Sequence, residues 1–429
     1  MAADQGRAAH PMKAPMMQTL VLEMLKLLDD LADYSTSEEG ITRLLYTPEW
    51  SGAQRFLQEK MAELGLNVTI DQVGNVIGRL NGRNVEAKTI VTGSHVDTVV
   101  SGGKYDGAYG IAASLAAIHY LQQAYGVPKR TIAVISFCEE EGSRFPLTFW
   151  GSGNITGLYD GSEADSHVDS SGITLRAAMT ECELGNELGI TNPMCSTLRE
   201  EIGTFVELHI EQGNVLENEA VQIGIVQAIA GQRRFKVKVC GTANHAGTTP
   251  MYLRKDALAG TAEMLLLLER SAGEAGEPLV ATSGHLEVIP GTPNVIPGEV
   301  QFTLDIRHSK AVELEHFCES VLADFYEIAQ RRGLTIEHEL ILRTAPALMD
   351  PELTQVLEHI CQQQNKSSRS IVSGAGHDAQ LFAPQYPTAM IFVPSRDGIS
   401  HSPLEYSSPE DLAAGLEVLT EFLYELAYK

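Results

Sequence analysis

Residues 93–107 read Gly93-Ser94-His95-Val96-Asp97-Thr98-Val99-Val100-Ser101-Gly102-Gly103-Lys104-Tyr105-Asp106-Gly107. The apolar run from Lys88 to Thr92 predicts a short buried strand ahead of them. The small-residue run from Gly110 to Ala124 predicts a helix after them, able to pack closely on that strand. Glycines at 102, 103 and 107 permit tight turns in between. A second very apolar strand follows, Thr131 to Phe137, and it ends in Cys138-Glu139-Glu140-Glu141-Gly142. Strand, helix, strand in this order predicts a parallel, right-handed unit. Open α/β sheets hold their chemistry outside the carboxyl ends of such strands. His95, Asp97, Asp106, Glu140 and Glu141 all fall there. His95 and Asp106 are therefore expected to be the first two ligands of a metal centre, with Asp97 orienting His95.

The flanking chain supports an α/β fold. Upstream, Met17 to Tyr34 and Ser51 to Leu64 carry helical apolar spacing, the second with Thr47-Pro48 as a start signal. Val68 to Leu80 predicts a hairpin about Gly74-Asn75. Residues 1–17 have no apolar h-region and read as a loose tail rather than a signal peptide. Downstream, 162–199 reads as a surface excursion with some helix. Thr204 to Ile210 is a strand whose alternation puts Glu207 and His209 on one face. The character changes near Gly213. Strands at 224–229, 235–239, 279–288 and 299–307 alternate with helices at 254–270 and 312–332, as in a small α+β domain. A strand at 334–342, a helix at 351–364, a glycine-rich loop at 373–378, a strand at 388–393 and a helix at 409–427 complete the chain. The expected architecture is a main domain of residues 18–212 and 328–429, its mixed, mostly parallel sheet flanked by helices. Residues 213–327 would be an inserted α+β domain.

The chain has 429 residues, 44% hydrophobic and 20% charged, an ordinary globular composition. Its formal net charge of -25 argues against nucleic acid or an anionic membrane as partner. An anionic substrate would need a local arginine. Six cysteines are scattered without a CxxC pair, which suits free thiols in a reducing compartment. No apolar run approaches the ~20 residues of a membrane span. A cytoplasmic protein is expected.

Further candidate residues lie at other strand ends. A glutamate run usually marks a solvated face, but Glu139–Glu141 directly follow an apolar strand. One of two adjacent carboxylates can bind metal while the other serves as general base. His209 lies on a third strand and His401 follows the last one, in Gly398-Ile-Ser-His-Ser-Pro. In the insert, Asn244-His245-Ala-Gly-Thr-Thr-Pro-Met is a polar loop, Asn294 sits between prolines, and Arg307 ends a strand. An arginine so placed can hold a carboxylate bidentately. Thr248-Thr249-Pro250 could instead cap the following helix.

Together His95-x-Asp97, Asp106, Glu140-Glu141-Gly, His209-Ile-Glu-Gln212, Asn244-His245-Ala-Gly and His401-Ser-Pro resemble the dinuclear-metal amidohydrolases related to aminoacylases and metallo-carboxypeptidases. The segments Glu139 to Pro146, Gly231-Gln-Arg-Arg, Asn244 to Met251 and Ser373-Gly-Ala-Gly-His-Asp-Ala look like its carbamoyl-amidohydrolase branch. That branch acts on N-carbamoyl amino acids, ureidoglycolate and allantoate. Gly40-Ile-Thr-Arg-Leu-Leu-Tyr-Thr-Pro-Glu-Trp50, with Phe149-Trp-Gly-Ser and Ile391-Phe-Val-Pro-Ser, is most similar to its allantoate-hydrolysing group. The resemblance implies two divalent metals, Mn²⁺ or Zn²⁺, held by His95, Glu141, His209 and His401 with Asp106 bridging. It implies Glu140 as general base, Asp97 behind His95, and His245 in catalysis. Gln212, His245, Asn294 and Arg307 would contact a small anionic ureide. It further implies an insert that closes as a lid and forms a homodimer. The alternatives are an N-carbamoyl-L-amino acid or ureidoglycolate hydrolase, a dinuclear peptidase, or a non-catalytic ureide-binding protein on the same fold.

Overall fold

The computed structural model describes residues 14–182 and 194–429. The first helix spans Ala14–Ala32, so part of the expected tail is helical; residues 1–13 lie outside the described residues. The described residues form two compact units, residues 14–182, 194–227, 349–371 and 377–429, and residues 228–348 and 372–376.

In the first unit the strands run Asn67–Ile70, Val76–Leu80, Ile132–Phe137, Thr89–His95, Ile202–Ile210, Thr388–Val393 and Ile223–Ile229 across the sheet. The central pairs are parallel: Thr89–His95 with Ile132–Phe137 and with Ile202–Ile210, and Thr388–Val393 with Ile202–Ile210. The hairpin at the edge is antiparallel, and Gly74 turns it with a φ of 96°. Thr89–His95 and Ile132–Phe137 are buried along their whole length, as parallel strands covered on both faces are. The helix Ala108–Tyr125 packs on this sheet through small residues. A Cβ on Gly110 would stand 2.5 Å from the Leu208 carbonyl oxygen, so nothing larger fits at that crossing. Pro48–Glu63 begins as its Thr47-Pro48 signal predicts, with the Thr47 side chain accepting from the Trp50 N–H.

The boundaries of the inserted unit differ from 213–327. Ile223–Ile229 pairs antiparallel with Thr388–Val393, which ties the start of that strand to the first unit. Thr335–Thr344, expected in the main domain, pairs along Gly231–Cys240 and belongs to the second unit. Hydrogen-bonding partners a hundred residues away decide both positions. The second unit's sheet runs Leu286–Ile289, Glu299–His308, Gly231–Cys240 and Thr335–Thr344, with Val280–Thr282 also on Glu299–His308. The single strand expected at 279–288 is thus two. Helices Ala257–Ala275 and Ala311–Arg332 cover one face around Val237, Val300, Phe302 and Phe325. Within the 162–199 excursion, Leu175–Glu181 and Met194–Glu201 are helical, and 183–193 lies outside the described residues.

Candidate metal centre

Thr89–His95 delivers His95 to the carboxyl edge of the sheet. Two glycines make the approach possible. Gly93 has a φ of 137°, and a Cβ there would overlap the Ile135 carbonyl oxygen. Gly107 has a φ of 63°, and a Cβ there would overlap the His95 carbonyl and ring. Only glycine adopts both conformations without strain. The return chain therefore presses Asp106 against His95.

Asp106 sits at the middle of the cluster. Its Oδ1 lies 3.4 Å from His95 Nε2 and 3.2 Å from His209 Nε2. Its Oδ2 lies 3.3 Å from His401 Nε2, which in turn stands 3.4 Å from Glu141 Oε1. Two donor sets thus share one carboxylate: His95, Asp106 and His209, and Asp106, Glu141 and His401. The donor atoms of each set lie within 4.8 Å of one another. The backbone fixes which nitrogens face inward. His95 Nδ1 lies 3.1 Å from the Asp97 carbonyl oxygen and His209 Nδ1 2.9 Å from that of Ile210. Each Nδ1–H is donated outward, which turns each Nε2 toward Asp106, and the Gly107 N–H also reaches His209 Nε2 at 3.1 Å. The sets offer nitrogen and oxygen only, a donor chemistry that fits Zn²⁺ or Mn²⁺.

The electrostatics match a cation seat. Burial would raise the Asp106 pKa, but His209, His401 and His95 together hold it well below the usual carboxylate range. Burial would lower His95, yet its contacts with Asp106 and Asp97 keep it well above the ordinary imidazole value. The Asp106 contact, working against burial, pushes His401 up to about 8. Burial, with Asp106 adding to it, pushes Glu141 up to about 7. Glu140 is raised well above the usual range by burial, although His95 opposes it. Three imidazoles gathered on one ionised aspartate hold protons where a divalent cation can replace them.

Asp97 does more than face His95. Its Oδ1 is 3.3 Å from His95 Nδ1 and accepts the Glu140 N–H at 3.0 Å, while its Oδ2 accepts the Glu141 N–H at 3.3 Å. It therefore places the imidazole and both glutamates at once. Glu139, which has no role in the sequence reading, is buried and accepts the N–H groups of Gly142 and Trp150. Gln212, expected to touch substrate, donates through Nε2 to Asp106 Oδ2 at 2.8 Å and to Ser400 Oγ at 3.2 Å.

The Gly40–Trp50 motif is a brace beneath these loops. The buried Arg43 guanidinium donates to the Val96 carbonyl at 2.7 Å, between His95 and Asp97. Trp50 Nε1 donates to the Cys138 carbonyl at 2.8 Å, just ahead of the glutamates.

Three further partners are not among the candidate site residues, although Glu207 shares a strand face with His209 and His377 lies in the Ser373–Ala379 motif. Glu207 accepts from Ser94 Oγ and the Ala379 N–H, both at 2.8 Å. The buried His377 ring stands 4.6 Å from that of His209, centroid to centroid. Glu405 accepts the N–H groups of Tyr105 and Asp106.

The remaining candidates lie in the second unit. Asn244–His245 pairs antiparallel with Val295–Ile296, and the Ala246 N–H donates to the Asn294 carbonyl at 2.9 Å, which puts His245 and Asn294 side by side. Gly247 N–H donates to His245 Nδ1, so the ring presents Nε2 outward. The helix after this loop starts at Ala257 with Asp256 as its cap, so Thr248-Thr249-Pro250 does not cap it. Arg307 is held by Asp305 through Nε at 2.9 Å and Nη2 at 3.0 Å, with Nη1 donating to the Gly374 carbonyl at 2.6 Å.

A shared carboxylate between two nitrogen–oxygen donor sets, at the carboxyl edge of a mostly parallel sheet, is the frame of a metal-dependent hydrolase. The chain belongs to the peptidase family M20/M25/M40, which matches residues 91–425. It is 46% identical to the allantoate amidohydrolase of Bacillus subtilis (strain 168), over 93% of this chain and 96% of that one. It is 44% identical to the allantoate amidohydrolase of Escherichia coli (strain K12), over 91% of this chain and 94% of that one. Among solved structures, an amidase of the hydantoinase/carbamoylase family from Burkholderia multivorans superposes with a TM-score of 0.89 at 33% identity, covering 95% of this chain and 98% of that one.

Proposed function

We propose that the chain hydrolyses the ureido C–N bond of allantoate, giving ureidoglycine, ammonia and carbon dioxide. The observation that carries this reading is the division of Asp106, with Oδ1 facing His95 and His209 and Oδ2 facing His401. The likeness to the two allantoate amidohydrolases supports the choice of substrate. Two divalent cations on these donors, Mn²⁺ with Zn²⁺ as the alternative, would supply Lewis-acid polarisation of the ureido carbonyl and acidify a water at neutral pH. Glu140 accepts the proton of the attacking water and returns it to the leaving nitrogen. Its pKa, raised by burial, suits a group that must hold that proton between the two transfers. Asp97 keeps Glu140, Glu141 and His95 in register. His245 and Asn294 serve as donors for the developing oxyanion. Arg307, already oriented by Asp305, holds the substrate carboxylate, and Gln212 assists beside Asp106. The reading includes a cytoplasmic homodimer formed through the inserted unit. Among the described residues no helix is long and apolar enough to cross a membrane. The test is ammonia release from allantoate after chelation and after re-addition of Mn²⁺ or Zn²⁺. Activity lost and then restored supports the reading, and activity indifferent to chelation removes it.

A further inference from the structure

Asp106 and His401 are 295 residues apart in sequence, and the two loops that carry them share one buried acid. Glu405 is 6% exposed. Its Oε1 accepts the backbone N–H of Tyr105 at 3.0 Å and that of Asp106 at 3.2 Å. Its Oε2 accepts the Ser400 hydroxyl at 2.8 Å. Ser400 Oγ also lies 3.3 Å from Asp106 Oδ2, and it receives Gln212 Nε2. The Glu405 N–H donates to the Ser402 carbonyl at 3.0 Å, which closes the His401 turn on itself. Gly103 leaves the room that this arrangement needs, since a Cβ there would overlap the Glu405 carboxylate and its Cβ.

The two donor sets are unequally supported. His95 and His209 sit on buried strands of the sheet. His401 sits on a loop, its side chain 50% exposed and its φ at 53°, in the left-handed region. We infer that Glu405 is a positioning residue that locks the His401 loop to the Asp106 loop, and that the Asp106–Glu141–His401 set depends on this lock while the His95–Asp106–His209 set does not. Glu405 acts through hydrogen bonds rather than as a ligand. The amide of Gln can fill the same place, accepting the two N–H groups with its oxygen and donating to Ser400, whose proton then turns to Asp106 Oδ2.

The inference rests on the two-cation reading, so the experiment separates the two. Calorimetric titration of the chelator-stripped full chain with Mn²⁺ is run for wild type, Glu405→Ala, Glu405→Gln, Ser400→Ala and Gly103→Ala. Two equivalents on wild type uphold the two-cation reading, and a single equivalent defeats that reading. On wild type with two equivalents, Glu405→Ala is expected to weaken one equivalent about 10–100-fold, the effect typical of losing a residue that orients a metal ligand. The other equivalent should stay within about threefold, and Glu405→Gln should restore the weakened one. Ser400→Ala and Gly103→Ala keep the carboxylate but break or displace its contacts, and should reproduce the Glu405→Ala pattern even if that variant fails to fold. Both equivalents unchanged in these variants, both weakened equally, or Glu405→Gln as weak as Glu405→Ala would overturn the assignment.

Discussion

Replacing Asp97 by alanine should damage the site in two separable ways. The carboxylate accepts the Glu140 N–H at 3.0 Å and the Glu141 N–H at 3.3 Å, and faces His95 Nδ1 at 3.3 Å. The buried Glu140 N–H left without an acceptor costs roughly 1–3 kcal/mol of folding stability, and the half-buried Glu141 N–H adds less. His95 keeps its bond to the Asp97 main-chain carbonyl, which alanine also supplies. The tautomer therefore survives, but Glu140 and Glu141 lose their register against His95. Loss of such an orienting partner lowers metal affinity by about 10–100-fold. Denaturant unfolding of the metal-stripped protein reads the first effect, and Mn²⁺ titration reads the second. The effects should appear together in Asp97→Ala. Asp97→Asn retains one acceptor oxygen but turns an NH₂ toward the other backbone N–H, so it should stay well short of wild type in both. An Asp97→Ala protein with stability within about 0.5 kcal/mol of wild type and unchanged Mn²⁺ affinity would refute the reasoning.

Three further outcomes follow from the same geometry. Glu140→Gln should keep its metal while ammonia release falls by about 10²–10⁴-fold, the usual worth of a general acid–base group; a rate within threefold of wild type would remove Glu140 as the base. Gly93→Ala should cost at least about 3 kcal/mol or prevent folding, because the new Cβ meets the Ile135 backbone at a φ that only glycine holds; a variant with an unchanged melting temperature would contradict this. Mn²⁺ affinity should climb from about pH 6 through about pH 9. Glu141, raised to about 7, and His401, raised to about 8, must each lose a proton before they can bind a cation. A flat affinity profile over that range, measured by titration calorimetry, would count against these two as ligands.

The sequence was most readable where local pattern and burial coincide. Thr89–His95 and Ile132–Phe137 are buried throughout, so their apolar runs mark them as interior parallel strands, and the polar residues at their ends stand out. Strand alternation likewise exposes His209. What was not readable depends on distant pairing. Thr335–Thr344 has a pattern that would suit either unit, and only its hydrogen bonds to Gly231–Cys240 place it. Glu405 gives no local sign of the Tyr105 and Asp106 amides it holds. The Arg307–Asp305 pair was within reach, since residues two apart on a strand share a face. Gln212 shows the limit of a motif, because a residue chosen for substrate donates to the shared carboxylate itself.

The most direct test of the account is the kcat/KM of the Mn²⁺-restored protein for allantoate against a panel of N-carbamoyl-L-amino acids, followed by ammonia release. Allantoate should be turned over best, with ureidoglycine as the organic product. Negligible turnover of allantoate beside rapid hydrolysis of an N-carbamoyl-L-amino acid would contradict it.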